Sequence, residues 1–194
     1  MDTLIEAAIQ GNSNLVRELL QQGVDPNAPD HTGETALTWA AYLGHTGVVK
    51  DLLAAGAARE VTGQFLSAPP LLLAAQGGHR GIVALLVVLS DVNARNAHGQ
   101  TALMLALEPS NNFPKPQPRI LKLLETLLHA GAEIDLQDHQ GHTALMIAAR
   151  WGNLEAAQML VKAGADTRPK NQMGQTAAEI ALDAGALSIV RLLE

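Results

Sequence analysis

The segment 138–153, DHQGHTALMIAARWGN, contains the residues of this chain that are best suited to metal chemistry. His139 and His142 are three positions apart and follow Asp138, and imidazole nitrogens and carboxylates are common zinc ligands. However, the sequence around them is typical of a turn, whereas metalloprotease motifs place both histidines on one face of a helix. Asp138 or His98 could supply a further ligand, but nothing in the sequence places either one beside the pair. The sequence therefore predicts no bound metal.

Other catalytic arrangements are also missing from the sequence. The chain has no cysteine, which excludes thiolate chemistry, disulfides and cysteine-based zinc sites. We recognise no nucleophile beside a base, no paired carboxylates in a plausible cleft and no glycine loop that would bind phosphate. We therefore expect a protein that is not an enzyme and needs no cofactor. A metal-dependent enzyme that uses histidines in turns is the less favoured alternative.

A repeated pattern places these histidines between helices. The segment Thr143–Ala149, TALMIAA, has counterparts that begin at positions 2, 35, 69, 101 and 176. Successive starts are 33, 34, 32, 42 and 33 residues apart, and the long interval contains an insertion. A period near 33 residues indicates a repeat protein. The predicted units are approximately 2–34, 35–68, 69–100, 101–142, 143–175 and 176–194.

Local rules predict two helices and one turn in each unit. A threonine precedes most first helices, where its side chain can cap the helix, and Thr176 with Glu179 forms a capping-box pattern. Glycine can end a helix in the left-handed conformation. Glycines fall where the helices should stop, at Gly11, Gly23, Gly44, Gly56, Gly78, Gly131, Gly152 and Gly164. Asp or Asn followed three residues later by Gly favours turns at 30–33, 96–99, 138–141 and 171–174.

The recurring pattern G-x-T-x-L-x-x-A-A, then G-[HN], then L-L-x-x-G-A-D, resembles ankyrin repeats over essentially the whole chain. The chain departs from the family's common Thr-Pro-Leu-His start, and Leu89-Ser-Asp91 replaces Gly-Ala-Asp in the third unit. The resemblance implies one domain, 1–194, with an all-α repeat solenoid of paired antiparallel helices linked by hairpin-like turns. It also implies a non-catalytic scaffold that binds another protein through a concave face. Polar first and last units favour a closed domain without a tail.

Large side chains in or just after the first helices are candidate contacts on that face. Trp39, Tyr42 and Trp151 occupy such positions, and Arg150 lies beside Trp151. Trp, Tyr and Arg are enriched among the residues that dominate binding energies. Trp39 is two residues from Leu37 and could equally belong to the core.

Histidines at the predicted turn tips are further candidates. They are His31, His98, His139 and His142. A row of histidines on neighbouring turns could contact a partner, and unperturbed histidines change charge near neutral pH.

The insertion in the fourth unit is the second informative feature. Residues 108–119, EPSNNFPKPQPR, contain four prolines, which favour an extended path. Insertions in repeat arrays often lie at a binding face, so Phe113 at the centre of this segment is a candidate contact. A tolerated insertion without a role is an equal alternative, because lengthening a loop costs little.

The second helix of the third unit suggests a competing function. Its segment IVALLVVL has Ala84 and Val88 where other units carry mostly polar residues. This apolar back could support self-assembly as a structural protein. We expect a monomer, with a homo-oligomer as the alternative.

Composition limits the partners and the compartment. A formal net charge of −6 argues against nucleic acid and anionic membranes as partners. The longest apolar run, Ile82 to Leu89, is too short to span a bilayer, and no signal peptide is recognisable. We therefore expect a cytoplasmic protein.

Overall fold

The fold was obtained as a computed structural model, which describes residues 3–108 and 117–194, without the side chains of Gln117 and Pro118. Regular structure within these ranges is entirely helical. The helices are α1 (Leu4–Ile9), α2 (Ser13–Gln21), α3 (Ala36–Leu43), α4 (Thr46–Ala54), α5 (Pro70–Gln76), α6 (Arg80–Leu86), α7 (Ala102–Leu107), α8 (Gln117–His129), α9 (Ala144–Arg150), α10 (Leu154–Lys162), α11 (Ala177–Asp183) and α12 (Leu187–Leu193). Each predicted unit contains one pair.

Side-chain caps mark the start of four first helices, α1, α3, α9 and α11. Thr176 accepts a hydrogen bond from the backbone N–H of Glu179, whose carboxylate accepts one from the backbone of Thr176 at 2.7 Å. This confirms the predicted capping box, and such a cap contributes about 1 kcal/mol to helix stability. Pro69 offers no side-chain cap, but Pro70 at the first helical position has a φ angle already suited to the helix.

Glycines end the helices as the sequence predicts. The eight glycines named above all adopt positive φ, from 62° at Gly152 to 99° at Gly164. An L-amino acid with a side chain rarely adopts this conformation, so glycine is needed at these ends.

Two layers of helices form the body of the molecule. The first helices α1, α3, α5, α7, α9 and α11 contact one another in that order and form the first-helix layer. The second helices α2, α4, α6, α8, α10 and α12 do the same and form the second-helix layer. Alanine pairs such as Ala40-Ala41 and Ala148-Ala149 are fully buried between units, where only small side chains let the helices approach closely. The predicted all-α repeat solenoid is confirmed.

Hairpin-like turns project from the start of the first helices. In the turn before the fifth unit, the backbone N–H of Asp138 donates to the His142 carbonyl at 3.0 Å, and that of Gly141 donates to the Asp138 carbonyl at 3.0 Å. The turns that begin at Asp30, Asn96 and Asn171 repeat both bonds. Neighbouring tips are also joined, because the N–H of His139 donates to the His98 carbonyl at 2.9 Å. Tip residues are therefore held in a defined row.

Candidate functional site

Three aromatic side chains of the second unit meet beside the first-helix layer, and we call them the aromatic cluster: Trp39, Tyr42 and Phe65. The ring of half-buried Trp39 stacks on Phe65, with centroids 5.8 Å apart and planes at 28°. Tyr42 meets the same indole edge-on, with centroids 6.4 Å apart. Phe65 is 68% exposed. Such ring pairs contribute about 0.5–1.5 kcal/mol beyond burial, so the cluster presents an ordered apolar surface to solvent.

An irregular turn positions Phe65. Residues 61–69 lack the Asp/Asn-x-x-Gly pattern of the other turns. Glu34 is fully buried beneath this turn, and its Oε1 accepts a hydrogen bond from the backbone N–H of Leu66 at 2.7 Å. Gly63 permits the approach, because a Cβ there would lie 2.2 Å from the Glu34 carboxyl carbon. Ser67 adopts an unusual positive φ of 52°. Phe65 was missing from the sequence interpretation, although the absent turn pattern marked this segment as unusual.

Asp30 links the second turn to the aromatic cluster. Its Oδ2 accepts a hydrogen bond from the Trp39 indole at 3.2 Å, while Oδ1 accepts from the backbone N–H of Thr32 at 2.7 Å. The Thr32 hydroxyl and the Glu34 N–H also donate to Oδ1. Burial raises the pKa of Asp30, but these hydrogen bonds outweigh it and hold the pKa below its ordinary value of 3.8. Asp30 is therefore ionised at neutral pH and fixes the orientation of the indole.

Arg150 and Trp151 lie at the end of α9, far along the stack from the aromatic cluster. Trp151 is 51% exposed, and its indole N–H donates to the Glu108 carboxylate at 3.1 Å. Trp151 therefore lies beside the start of the insertion in the fourth unit. Arg150 is exposed, and its Nη2 donates to Nε2 of His142 at 2.6 Å.

The four predicted tip histidines divide into two groups. His31, His98 and His139 are exposed, as expected for tip residues. His142 differs, because it is only 6% exposed. It follows the turn glycine and occupies the same repeat position as buried Glu34, so its ring points inward and contacts Asp138 and Arg150. The expectation of an exposed tip residue is wrong at His142.

The remaining predicted features have mixed outcomes. Among residues 3–108 and 117–194, no three His, Asp or Glu side chains are grouped so that they could hold a metal ion. Phe113 and residues 109–116 of the insertion lie outside the described residues. On the apolar back of the third unit, Val88 is 76% exposed and Leu89 is 46% exposed. No described helix combines the length and the apolar character needed to cross a membrane.

Stacked helix pairs with a row of turns define a repeat solenoid, a class of protein that presents long surfaces to partners. The family assignment follows from sequence as well as fold. Residues 1–64 and 117–194 match the family model described as "Ankyrin repeats (3 copies)", and the chain belongs to the ankyrin-repeat family. Ankyrin repeats are generally non-catalytic protein-interaction modules.

Known proteins resemble the chain along most of its length. The E3 ubiquitin-protein ligase KEG of Arabidopsis thaliana is 31% identical over 94% of this chain and 12% of its own length. The crystal structure of EF0377, an ankyrin repeat protein, aligns with a TM-score of 0.85 and 28% identity over 98% of this chain and 95% of that one. A chain of the Bdellovibrio bacteriovorus complex of predatory endopeptidase Bd0816 with immunity protein Bd3460 also aligns with a TM-score of 0.85. It shares 31% identity over 100% of this chain and 97% of that one.

The chain spans only between 6% and 34% of the length of the first curated relatives that it matches. The activities and partners of those whole proteins are therefore not transferred to it.

Proposed function

We propose that this chain is a protein-interaction scaffold that binds a protein partner through the concave face formed by its first helices and turns. The aromatic cluster carries the proposal, because it combines an exposed ring with a fixed orientation. Arg150 and Trp151 form a second contact region, and the exposed tip histidines His31, His98 and His139 extend both along the row of turns. Phe113 stays a predicted contact.

Energetic arguments favour the aromatic cluster as the main contact. Phe65 exposes most of its ring, although burial of a Phe side chain is worth about 1.5–3 kcal/mol. A partner that covers the ring recovers this free energy without ordering the cluster first, since Asp30 already fixes the Trp39 indole on which Phe65 stacks. Hot spots are typically such preorganised aromatic residues.

The test is a capture experiment with matched variants. Wild-type protein and the Tyr42→Ala/Phe65→Ala variant are immobilised, exposed to lysate of the source cell, and the retained proteins are identified. Val88→Ser serves as the control, because it removes an exposed apolar side chain that lies just after α6, away from the aromatic cluster. A directly binding protein that is retained by wild type and the control, but at least about tenfold less by the double variant, supports the proposal. Equal retention by all three rejects the concave-face assignment.

A second candidate function is binding to an endopeptidase. It is favoured by the full-length alignment with a chain from the endopeptidase–immunity protein complex. The experiment adds purified chain to an endopeptidase from the same source and measures hydrolysis of its substrate. Inhibition at one equivalent of chain supports this candidate, and undiminished hydrolysis with a large excess of chain rejects it.

Compartment and assembly remain part of the proposal. We propose a cytoplasmic monomer with neither nucleic acid nor membrane as a partner. Cell fractionation tests the compartment, and recovery in a membrane or secreted fraction would contradict it.

A further inference from the structure

Arg150 in the fifth unit and Asp183 in the sixth each end a short series of contacts between polar side chains. Arg150 and Asp183 occupy corresponding positions, seven residues after Thr143 and Thr176. In the turn before the fifth unit, Nδ1 of His142 lies 3.4 Å from Oδ2 of Asp138, and Nε2 of the same ring lies 2.6 Å from the Arg150 guanidinium.

The chemistry of arginine fixes the direction of its hydrogen bond with His142. A guanidinium has donors and no acceptor, so Nε2 of His142 must accept the hydrogen bond from Arg150. Nδ1 of the same ring faces the Asp138 carboxylate. His142 is 94% buried, and its hydrogen bond with Arg150 orients the guanidinium without neutralising its charge.

A similar series of polar contacts, made by different residues, leads to Asp183 in the sixth unit. The Asn171 side-chain N–H donates to Oε1 of Gln175 at 3.3 Å, and the Gln175 amide donates to the Asp183 carboxylate at 2.7 Å. The uncharged amide of Gln175 thus orients the Asp183 carboxylate without neutralising its charge. Asn171 is also 94% buried, and its amide lies 3.4 Å from Nε2 of His142. The polar side chains that contact Arg150 and those that contact Asp183 are therefore adjacent.

One cavity separates the two charges. A pocket of about 560 Å³ opens between the fifth and sixth units, and Arg150 and Asp183 both line it. Amides of Gln140 and Gln172 line the same pocket. The ion pairs formed by the described residues include neither Arg150 nor Asp183. The cavity therefore presents an uncompensated cation and an uncompensated anion.

We propose that this pocket, the Arg150–Asp183 pocket, binds a protein segment that places an acidic side chain at Arg150 and a basic side chain at Asp183. The inference rests on the proposed function and specifies the chemistry of the partner. Neighbouring helices pack about 8–10 Å apart. Alternate residues of an extended segment lie on one face about 6.8 Å apart, and their long side chains can span the remaining distance. The recognised feature is an acidic and a basic residue separated by one residue.

The probe is a blocked tripeptide, so that no partner has to be known. Acetyl-Glu-Gly-Lys-amide and acetyl-Lys-Gly-Glu-amide are titrated into the ¹⁵N-labelled chain at low salt, and backbone amide shifts are followed. Acetyl-Glu-Gly-Gln-amide and acetyl-Gln-Gly-Lys-amide are the singly charged controls. We expect saturable shifts within 139–151 and 171–184 for one doubly charged order, with a millimolar Kd about 3- to 10-fold lower than for either control.

Charge-removing variants give opposite signs for competing ligands. Arg150→Gln and Asp183→Asn should each weaken binding of the doubly charged peptide to the level of the matching control peptide. If the pocket accepts only an acid, Asp183→Asn instead strengthens binding, and if it accepts only a base, Arg150→Gln does so. Either strengthening overturns the inference, as does the absence of localised shifts with both doubly charged peptides.

The two proposals fail separately. A protein captured through the aromatic cluster, without peptide binding at the pocket, rejects this inference alone. Peptide binding without a captured protein removes support for the aromatic cluster and leaves the chemistry of the pocket intact.

Discussion

The aromatic cluster and the Arg150–Asp183 pocket occupy matching places in the repeat but have different chemistry. Tyr42, Arg150 and Asp183 all lie seven residues after the start of their units. In the second unit this position contributes a ring that meets Trp39 edge-on, whereas in the fifth and sixth units it holds oriented charges. Apolar hot spots supply most of the affinity of an interface, and charge complementarity supplies much of its specificity. We therefore propose that the aromatic cluster supplies most of the affinity for a partner and that the Arg150–Asp183 pocket supplies specificity.

The residue before each unit start shows how this difference arises. Glu34 and His142 share that position, and both are buried. Glu34 bonds to the backbone of the next turn and so shapes an irregular loop, whereas His142 bonds to side chains and leaves its turn regular. The buried polar residue at this position therefore helps to place the neighbouring surface residue: Glu34 holds the turn that carries Phe65, and His142 contacts Arg150.

The largest effect on stability is expected from Gly63→Ala, which disturbs the turn that positions Phe65 in the aromatic cluster. The new Cβ would lie 2.2 Å from the Glu34 carboxyl carbon, so either the turn or the buried carboxylate must move. We expect a loss of about 1–3 kcal/mol in the free energy of unfolding. In a Trp151→Phe background, where Trp39 is the remaining indole, its fluorescence should also change.

Gly81→Ala is the matched control for this prediction. It lies in helix α6, where the nearest atom to a new Cβ is 3.8 Å away. Alanine there should be neutral or stabilising by up to about 1 kcal/mol. Equal urea denaturation midpoints for Gly63→Ala and wild type would show that Glu34 does not support the irregular turn.

His142→Ala tests the charged side of the comparison. It removes a buried ring and leaves the Asp138 carboxylate without its contact at 3.4 Å, so we expect about 1–3 kcal/mol of destabilisation. Gln100→Ala, at the corresponding position just before the fourth unit, is the control and should cost less, because Gln100 is half-exposed. Thermal unfolding measures both. Comparable losses would mean that His142 contributes only what any residue at that position does.

Asp30 links the aromatic cluster to pH. Its folded-state pKa lies below the ordinary 3.8, so its contribution to stability is complete above that pH and is lost as pH falls through the folded-state pKa. We expect Asp30→Ala to destabilise by about 1–2 kcal/mol at neutral pH, with the difference from wild type shrinking below pH 3.8. Tm values of both proteins between pH 7 and pH 2.5 measure this. A difference independent of pH would reject the role of the charge.

Val88→Ser should have the smallest effect, within about 0.5 kcal/mol, because the side chain is mostly exposed. It separates both binding regions from the self-assembly alternative. Light scattering should find monomers for wild type and variant at every concentration. Wild-type oligomers that the variant abolishes would instead establish the apolar back as an interface.

The sequence predicted the backbone of this protein well and its surface only in part. Helix ends, caps and turns follow local rules, so Thr176, Gly44 and the turn glycines were identified correctly. Phe65 was missed because its importance depends on stacking against a residue 26 positions earlier, Trp39. His142 was misplaced because spacing along the chain does not show which way a side chain points after a turn.

By itself, the sequence determined the period, the helix pairs, the glycines that end the helices and the family, because these depend on short-range backbone preferences repeated in every unit. Only the tertiary structure decided which side chains meet. The stack brings Phe65 onto Trp39, and it places Arg150 and Asp183 on one cavity. Those contacts join residues that are far apart in the sequence, and their geometry depends on how the helices and turns pack against each other.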